Sequence, residues 1–390
     1  MPNPTHCPNL ECINAYRPSA PWFTRHGRYQ TVAHGVIQRY RCTRCGTTMS
    51  EQTESLHYYA KRHVPYRAVW ESLTSGASQR AIADRYRLSP QAVHNAVIRL
   101  GRQAMASQAL LLQEMSPVHS IVLDGLRSFV TSQDYPCDLS MCIEAVGETI
   151  LSIEHTVLHR GGRKREYQKR RMERKMESWQ PRPGRYTAAI TLLLKEMWDC
   201  LRPQSDGSPA VLHSDRHWLY SSLIKRNRVC QHQSLAQLFV HRQTSSHQPR
   251  TRSNPLFPAN YVDLLLRHRM KEHTRETIAF GRNAVSQMHR LWVFAWDHNA
   301  RKPHRVRHPE RGVHAAQAVA GSMEVKAISR QLFVRRIDLW GASIPASLRA
   351  VWMQKTETPP VRWRSGQRGT NVRLPAFAIR DLNRADQQAC

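Results

Sequence analysis

Two close pairs of cysteines open the chain, Cys7 with Cys12 and Cys42 with Cys45. Four thiolates at this spacing can close a tetrahedral Zn²⁺ site of the structural kind. Arg39-Tyr40-Arg41 precedes the second pair and Gly46-Thr47-Thr48 follows it. That order predicts a short basic strand entering a glycine turn. Isolated core thiols have no reason to fall in two close pairs. A unit this small buries little apolar surface, so the metal would supply most of its folding free energy, about 10–16 kcal/mol in comparable peptides. Cys137, Cys142, Cys200, Cys230 and Cys390 are scattered and read as ordinary thiols.

A second chemistry is carried by acids. Asp124 closes the apolar run His119–Leu123, and Asp215 closes Ala210–Ser214. A third acid on a later helix would complete a cluster. Asp263 and Glu276 are acids available on the later stretch. Such a cluster of hard oxygen ligands suits two Mg²⁺ or Mn²⁺ ions held about 3.5–4 Å apart. One ion activates a water or a 3′-hydroxyl and the other stabilises the leaving oxygen of an in-line displacement at phosphorus. Taken singly, Asp124 also reads as a strand-end aspartate and Asp215 as a helix N-cap. Arg267, one turn beyond Asp263, is placed either to meet a phosphate or to pair with an acid. His213 beside Asp215 reads as a packed strand histidine.

Composition names the partner of that chemistry. The 390 residues carry 58 Lys+Arg against 29 Asp+Glu, a formal charge of +29. The economical partner is a polyphosphate, DNA or RNA. No apolar run reaches the roughly 18 residues of a membrane helix, and no secretory pattern or P-loop is found. A cytoplasmic, nucleoid-associated protein is expected.

The positioning elements follow from pattern. Residues 58–113 read as helical. Ser78 caps one helix with Ile82 and Ala83 facing inward, and Leu88 closes it. Ser89 caps the next, with Pro90 in its first turn and Val93 and Val97 facing back. This is a helix-turn-helix pattern, whose second helix would turn Gln91, His94, Asn95 and Arg99 toward the major groove. Three antiparallel strands are predicted over 119–125, 138–146 and 149–157, with Gly147-Glu148 as a turn. A basic helix runs from Gly161 to about Trp179, carrying Arg163, Lys164, Arg165, Arg170 and Arg171 for phosphate contact. Further helices are expected over 187–201, 218–224, 260–273 and 282–298, and a fourth strand over 210–215. Trp292 and Trp296 read as core. Beyond Arg301 the chain is basic and poorly patterned, and from Pro359 it looks loosely ordered.

Strand-acid, two strands, helix, strand-acid and helix-with-acid make the outline of an RNase H-like core, which would set the Asp124 and Asp215 strands side by side. Preceded by a zinc ribbon and a helix-turn-helix, it resembles the DDE transposases of bacterial insertion sequences over roughly residues 1–310. Val122-Leu123-Asp124-Gly125, Leu212-His213-Ser214-Asp215, Asn254-Pro255-Leu256, Arg275–Asn283 and His298–Arg305 carry the likeness. The family commonly has an Asn-x-x-Glu helix start, and Asn260-Tyr261-Val262-Asp263 stands in its place here, so the resemblance implies Asp263, in place of glutamate, as the third acid, with Glu276 as the alternative. The resemblance implies a multidomain α+β chain: a zinc ribbon (1–50), a DNA-binding helix-turn-helix (51–113), an RNase H-like α/β catalytic core with a mixed sheet (114–310, basic helical insertion about 161–186) and a basic C-terminal extension (311–390). It implies recognition of terminal inverted repeats, strand cleavage, strand transfer into target DNA, and a homodimer or larger homo-oligomer. A DNA-binding regulator that no longer cuts and an RNA-processing nuclease are the other functions in view.

Overall fold

A computed structural model describes residues 3–226, 239–275, 277–303, 314–363, 366–368 and 374–387. It is a mixed α+β structure with eleven α-helices among the described residues, one three-stranded antiparallel sheet and one mixed five-stranded sheet.

The N-terminal sheet comprises β1 (Phe23–Thr31), β2 (Gly35–Cys42) and β3 (Thr48–Ser50), in that order. Gly46 takes φ 74°, the left-handed conformation that turns the chain after Cys45. The core of this unit is small: Trp22, Tyr40 and Met49 packed with Cys7, Cys12 and Cys42.

Three helices follow, α1 (Tyr66–Thr74), α2 (Gln79–Tyr86) and α3 (Pro90–Gln113). The Ser78 hydroxyl accepts from the Ala81 amide at 3.2 Å and the Ser89 hydroxyl from Ala92 at 3.1 Å. Those caps satisfy amides that the first helical turn leaves without partners. Arg87 in the left-handed region (φ 52°) ends α2, and the Leu88 amide donates back to the Ala83 carbonyl at 2.9 Å. Ile82, Ala83, Val93 and Val97 are buried as the pattern predicted. Only the first turns of α3 are exposed; from Ala96 to Ala109 all but Arg99 are buried.

The larger sheet is ordered β6-β5-β4-β7-β8, from β4 (Ser120–Val130), β5 (Ser132–Glu144), β6 (Ile150–Val157), β7 (Ala210–Asp215) and β8 (Phe239–Thr244). The first three strands are antiparallel neighbours; β7 runs parallel to β4, and β8 parallel to β7. The β4–β5 hairpin is longer than expected. Asp124 sits inside β4 rather than at its end, because Leu126, Ser128 and Val130 continue the buried alternation. Edge strand β8 went unread, its residues His241, Arg242 and Gln243 being polar.

Helices cover both faces of the sheet. On one side α5 (Arg185–Cys200) and α6 (Trp218–Arg226) lay Ile190, Leu193, Leu194 and Leu219 against Ile121 and Leu123. On the other, α3, α7 (Phe257–Arg269) and α8 (Ala284–Ala300) enclose Val122, Leu126, Leu139 and Met141. Trp292 and Trp296 of α8 are fully buried. A Cβ added to Gly101 of α3 would lie 2.6 Å from His289 Cβ on α8, so the two helices approach as closely as glycine allows. A basic helix, α4 (Glu166–Ser178), lies on the surface with no buried residue. No helix among the described residues is long and apolar enough to cross a membrane.

The region after residue 311 differs from expectation. α9 (Ser322–Gln331), α10 (Ala346–Trp352) and α11 (Ala376–Asp386) contribute Val325, Ile328, Leu348, Val351, Trp352 and Leu382 to the same core that α3 and α8 share. The arginine-rich composition masked apolar positions at helical spacing. Two of the arginines are held by acids of the same region: Arg336 pairs with Asp381 at 2.9 Å, and Arg384 pairs with Asp338 and donates to the Ala15 carbonyl at 2.7 Å. α11 thereby ties the N-terminal unit to the body. Nor is residue 113 a break in packing, because one apolar cluster runs from Leu56 to Ala385.

Candidate functional sites

Cys7, Cys12, Cys42 and Cys45 form a cluster whose Sγ atoms lie within 4.8 Å of one another. Cys7 Sγ is 3.5 Å from Cys45 Sγ, and Cys12 Sγ is 3.8 Å from Cys42 Sγ. Sulfurs about 2.3 Å from a tetrahedral zinc are separated by nearly these distances, so the four residues fit the metal. The Asn14 side-chain amide donates to Cys42 Sγ at 3.4 Å, a supporting contact with no signal in the cysteine spacing. Burial pushes the Cys7 thiol up. At Cys45 burial also works upward, but hydrogen bonds from the Thr47 hydroxyl and amide outweigh it and hold the thiol at about 6.

The acids meet in a separate cleft of about 230 Å³, lined by Asp124, Asp215, Asp263, Asn260, Arg250 and Arg267 among others. The sheet register brings the first two together: Val122 lies beside His213 and Leu123 beside Ser214, so Asp124 and Asp215 come next on adjacent parallel strands. α7 supplies Asp263, placed by Val262 and Leu266, which are buried against the sheet. Asp124 accepts from the Gly125 amide at 2.8 Å, and Asp215 accepts from the His217 amide at 2.9 Å, which also fixes the turn into α6.

Burial raises the Asp124 carboxyl to about 7, helped by the charges of Asp215 and Asp138 and opposed by the Gly125 amide. Burial likewise raises Asp263 to about 8, with Asp124 adding to the effect and Arg267 and Arg250 opposing it. Converging carboxylates that resist ionisation mark a place where an added cation is favourable. The aspartates are nonetheless not drawn to mutual ligand spacing; among the described residues only the cysteines are. Glu276, the alternative third acid, lies outside the described residues.

Asp138 and Gly125 were not singled out by sequence. Asp138 is 1% exposed on β5, paired with Arg127 at 3.2 Å and accepting from Ser140 at 2.5 Å. A Cβ on Gly125 would sit 2.6 Å from the Asp138 carboxylate, so the glycine after Asp124 makes room for the fourth acid. The polar alternation Asp138, Ser140 was the available signal.

The remaining basic candidates divide. Gln91 and Asn95 are exposed on α3 and hydrogen-bonded to each other at 3.0 Å. His94 is half-buried, its pKa lowered by burial and by Arg290. Arg99 corrects the reading: it turns inward, donates to the Leu56 carbonyl at 2.6 Å and covers the Phe377 ring. One turn farther along, α3 has already entered the core. Arg163 and Arg165 are exposed and Lys164 is half-buried. Arg170 is exposed and loosely paired with Glu166 at 3.8 Å. Arg171 is a second correction, being neutralised by Asp134 at 2.9 Å. Asp134, 1% exposed, also holds Arg160 at 2.8 Å and Lys175 at 2.7 Å, and so pins α4 to β5. Arg267 is half-buried in the aspartate cleft, its Nε buried without a partner. His213 is half-buried, and burial lowers its pKa. Cys137 and Cys142 are buried and Cys200 half-buried, while Cys230 and Cys390 lie outside the described residues.

No family model matches the chain, and no curated protein matches its sequence.

Proposed function

We propose that the chain is a DNA transposase, which binds the terminal inverted repeats of a mobile element and cuts and joins DNA strands with Mg²⁺ or Mn²⁺. The observation that carries this reading is the convergence of Asp124, Asp215 and Asp263 in one cleft with Arg250 and Arg267. The strand order β6-β5-β4-β7-β8, with the last two strands parallel to β4, agrees with an RNase H-like catalytic core. The four-cysteine unit then serves as a zinc ribbon, and α2 with α3 as a helix-turn-helix.

In this reading Arg250 and Arg267 receive the phosphate whose ester is broken, and the guanidinium groups offset charge on its oxygens. Asp124, Asp215 and Asp263 would hold the divalent cations, which supply an activated water or 3′-hydroxyl and stabilise the leaving oxygen. Asp124 and Asp263, whose pKa values burial raises, would hold such ions in their deprotonated form. Gln91, His94 and Asn95 at the exposed end of α3 read base edges in the major groove. Arg163, Lys164, Arg165 and Arg170 follow the backbone of the element end or the target. Holding two ends together calls for at least a dimer, and the substrate places the protein at the nucleoid.

The test is cleavage and joining on a labelled duplex carrying the flanking element end, comparing wild type with Asp215→Ala. Metal-dependent nicking that leaves a free 3′-hydroxyl, reduced at least about 10²-fold in the variant while binding persists, is expected. Tight duplex binding without cutting by either protein, in Mg²⁺ or Mn²⁺, would instead favour a regulator. Preference for structured RNA would favour an RNA-processing nuclease.

A further inference from the structure

Away from both sites, three histidines meet where the N-terminal sheet touches the segment leading into α1. His34 is in the turn between β1 and β2; His57 and His63 lie between β3 and α1. The His34 and His57 rings are 4.9 Å apart, His57 and His63 are 4.8 Å apart, and His34 and His63 are 6.2 Å apart. Three imidazoles in mutual contact are costly if protonated and useful if neutral.

Backbone contacts set which nitrogen of each ring is free. His34 bonds to the Ala60 backbone, and its Nε2 is buried with no hydrogen-bond partner. His34 Nε2 is therefore the ring nitrogen left without a protein partner. His57 Nε2 faces the Val64 backbone, 3.0 Å from its carbonyl oxygen and 3.4 Å from its amide nitrogen, so the backbone holds this side of the ring. A backbone carbonyl that fixes the far nitrogen is the usual support of a metal-bound histidine. Burial lowers the pKa of His34, and burial together with His34, His63 and Arg99 lowers His57 to about 4. Both are thus neutral at pH 7, as ligands must be. His63 is exposed.

We propose that His34, His57 and His63 form a second zinc site, with three imidazole ligands and an open fourth position. Neutral nitrogen donors without a carboxylate select a borderline cation such as Zn²⁺ over Mg²⁺. The three rings are not yet at ligand spacing, so an ion would draw them together as it binds. The ion would join the β1–β2 turn to the segment entering α1. The inference does not depend on a reaction with DNA.

The experiment is a Zn²⁺ titration of the full chain against a chromophoric chelator, with metal content measured after gel filtration. Wild type is expected to hold two equivalents. His34→Ala and His63→Gln are each expected to hold one, with affinity for the second ion reduced at least about 100-fold. His63 is exposed, so its variant tests the site without threatening the fold. His26→Ala, also exposed on β1, should keep both ions. One equivalent in wild type overturns the proposal. Two equivalents retained by both His34→Ala and His63→Gln also overturn it, because the second ion would then lie elsewhere.

Discussion

The cysteine cluster and the aspartate cleft answer the same physical problem in opposite ways. The thiols lie at metal spacing already, in a unit with almost no other core. The carboxylates come from β4, β7 and α7 of a well-packed body, share a cleft, and remain apart. A unit that depends on its ion for stability must be able to gather its ligands around it. A body that is stable without ions can hold its acids in a destabilised state until a cation arrives. Closed geometry therefore marks the structural centre, and raised carboxyl pKa values mark the one suited to chemistry.

The largest expected effect breaks the first half of that contrast. Cys42→Ser, or removal of zinc by a strong chelator, should unfold residues 1–50, with a loss on the order of 10 kcal/mol in apparent metal-coupled folding energy. Hydrogen exchange should show the loss confined to β1–β3 while α3 and α8 stay protected. Melting of the whole chain in one step would show that α11 couples the two units more strongly than the comparison holds. Next in size is Gly125→Ala. Its Cβ would meet the Asp138 carboxylate at 2.6 Å, and thermal unfolding should report a loss of about 2 kcal/mol. Unchanged stability would mean that the fourth acid yields freely.

Asp263→Asn tests the cleft from the other side. In the folded state Asp263 titrates at about 8 rather than 3.8, so the folded chain retains a proton that the unfolded chain releases. Stability from this group is full below pH 3.8 and falls as pH rises toward 8. The asparagine variant should flatten that fall, gaining on the order of 1 kcal/mol at pH 8 after allowance for the solvent reaching the cleft. Cleavage should be lost at the same time. A variant less stable than wild type at pH 8 would contradict the strained-carboxylate account. The smallest effect belongs to Gln91→Ala and Asn95→Ala. Each should weaken duplex binding by about 1 kcal/mol in a gel-shift measurement and leave the unfolding temperature unchanged.

What sequence revealed depended on whether the signal was local. Cysteine pairs, the Ser78 and Ser89 caps, and the buried faces of α2 and α3 are set by residues a few positions apart, and all could be read. Asp124, Asp215 and Asp263 could be proposed together because an apolar run or a helix start frames each. Asp138 could not, because its meaning comes from Gly125 and Arg127 across a hairpin. Arg99 was assigned to nucleic acid from its place on the second helix and Arg171 from the basic run, whereas a carbonyl from Leu56 and the buried Asp134 decide their directions. The C-terminal helices were obscured by the same arginine content; the roles of Arg336, Arg349 and Arg384 become visible only once Asp381, Asp386 and Asp338 are seen opposite.

The 24 residues of α3 give a shaft about 36 Å long. One end is bare to solvent, and the remainder is clamped against α8 through Gly101. Such a shaft cannot swivel independently of the sheet that carries Asp124. If the proposed function holds, it would act as a ruler: duplex gripped at Gln91 and Asn95 would be held at a constant offset from the aspartates, and the number of base pairs between recognised sequence and cut would be set by protein length rather than by a flexible tether.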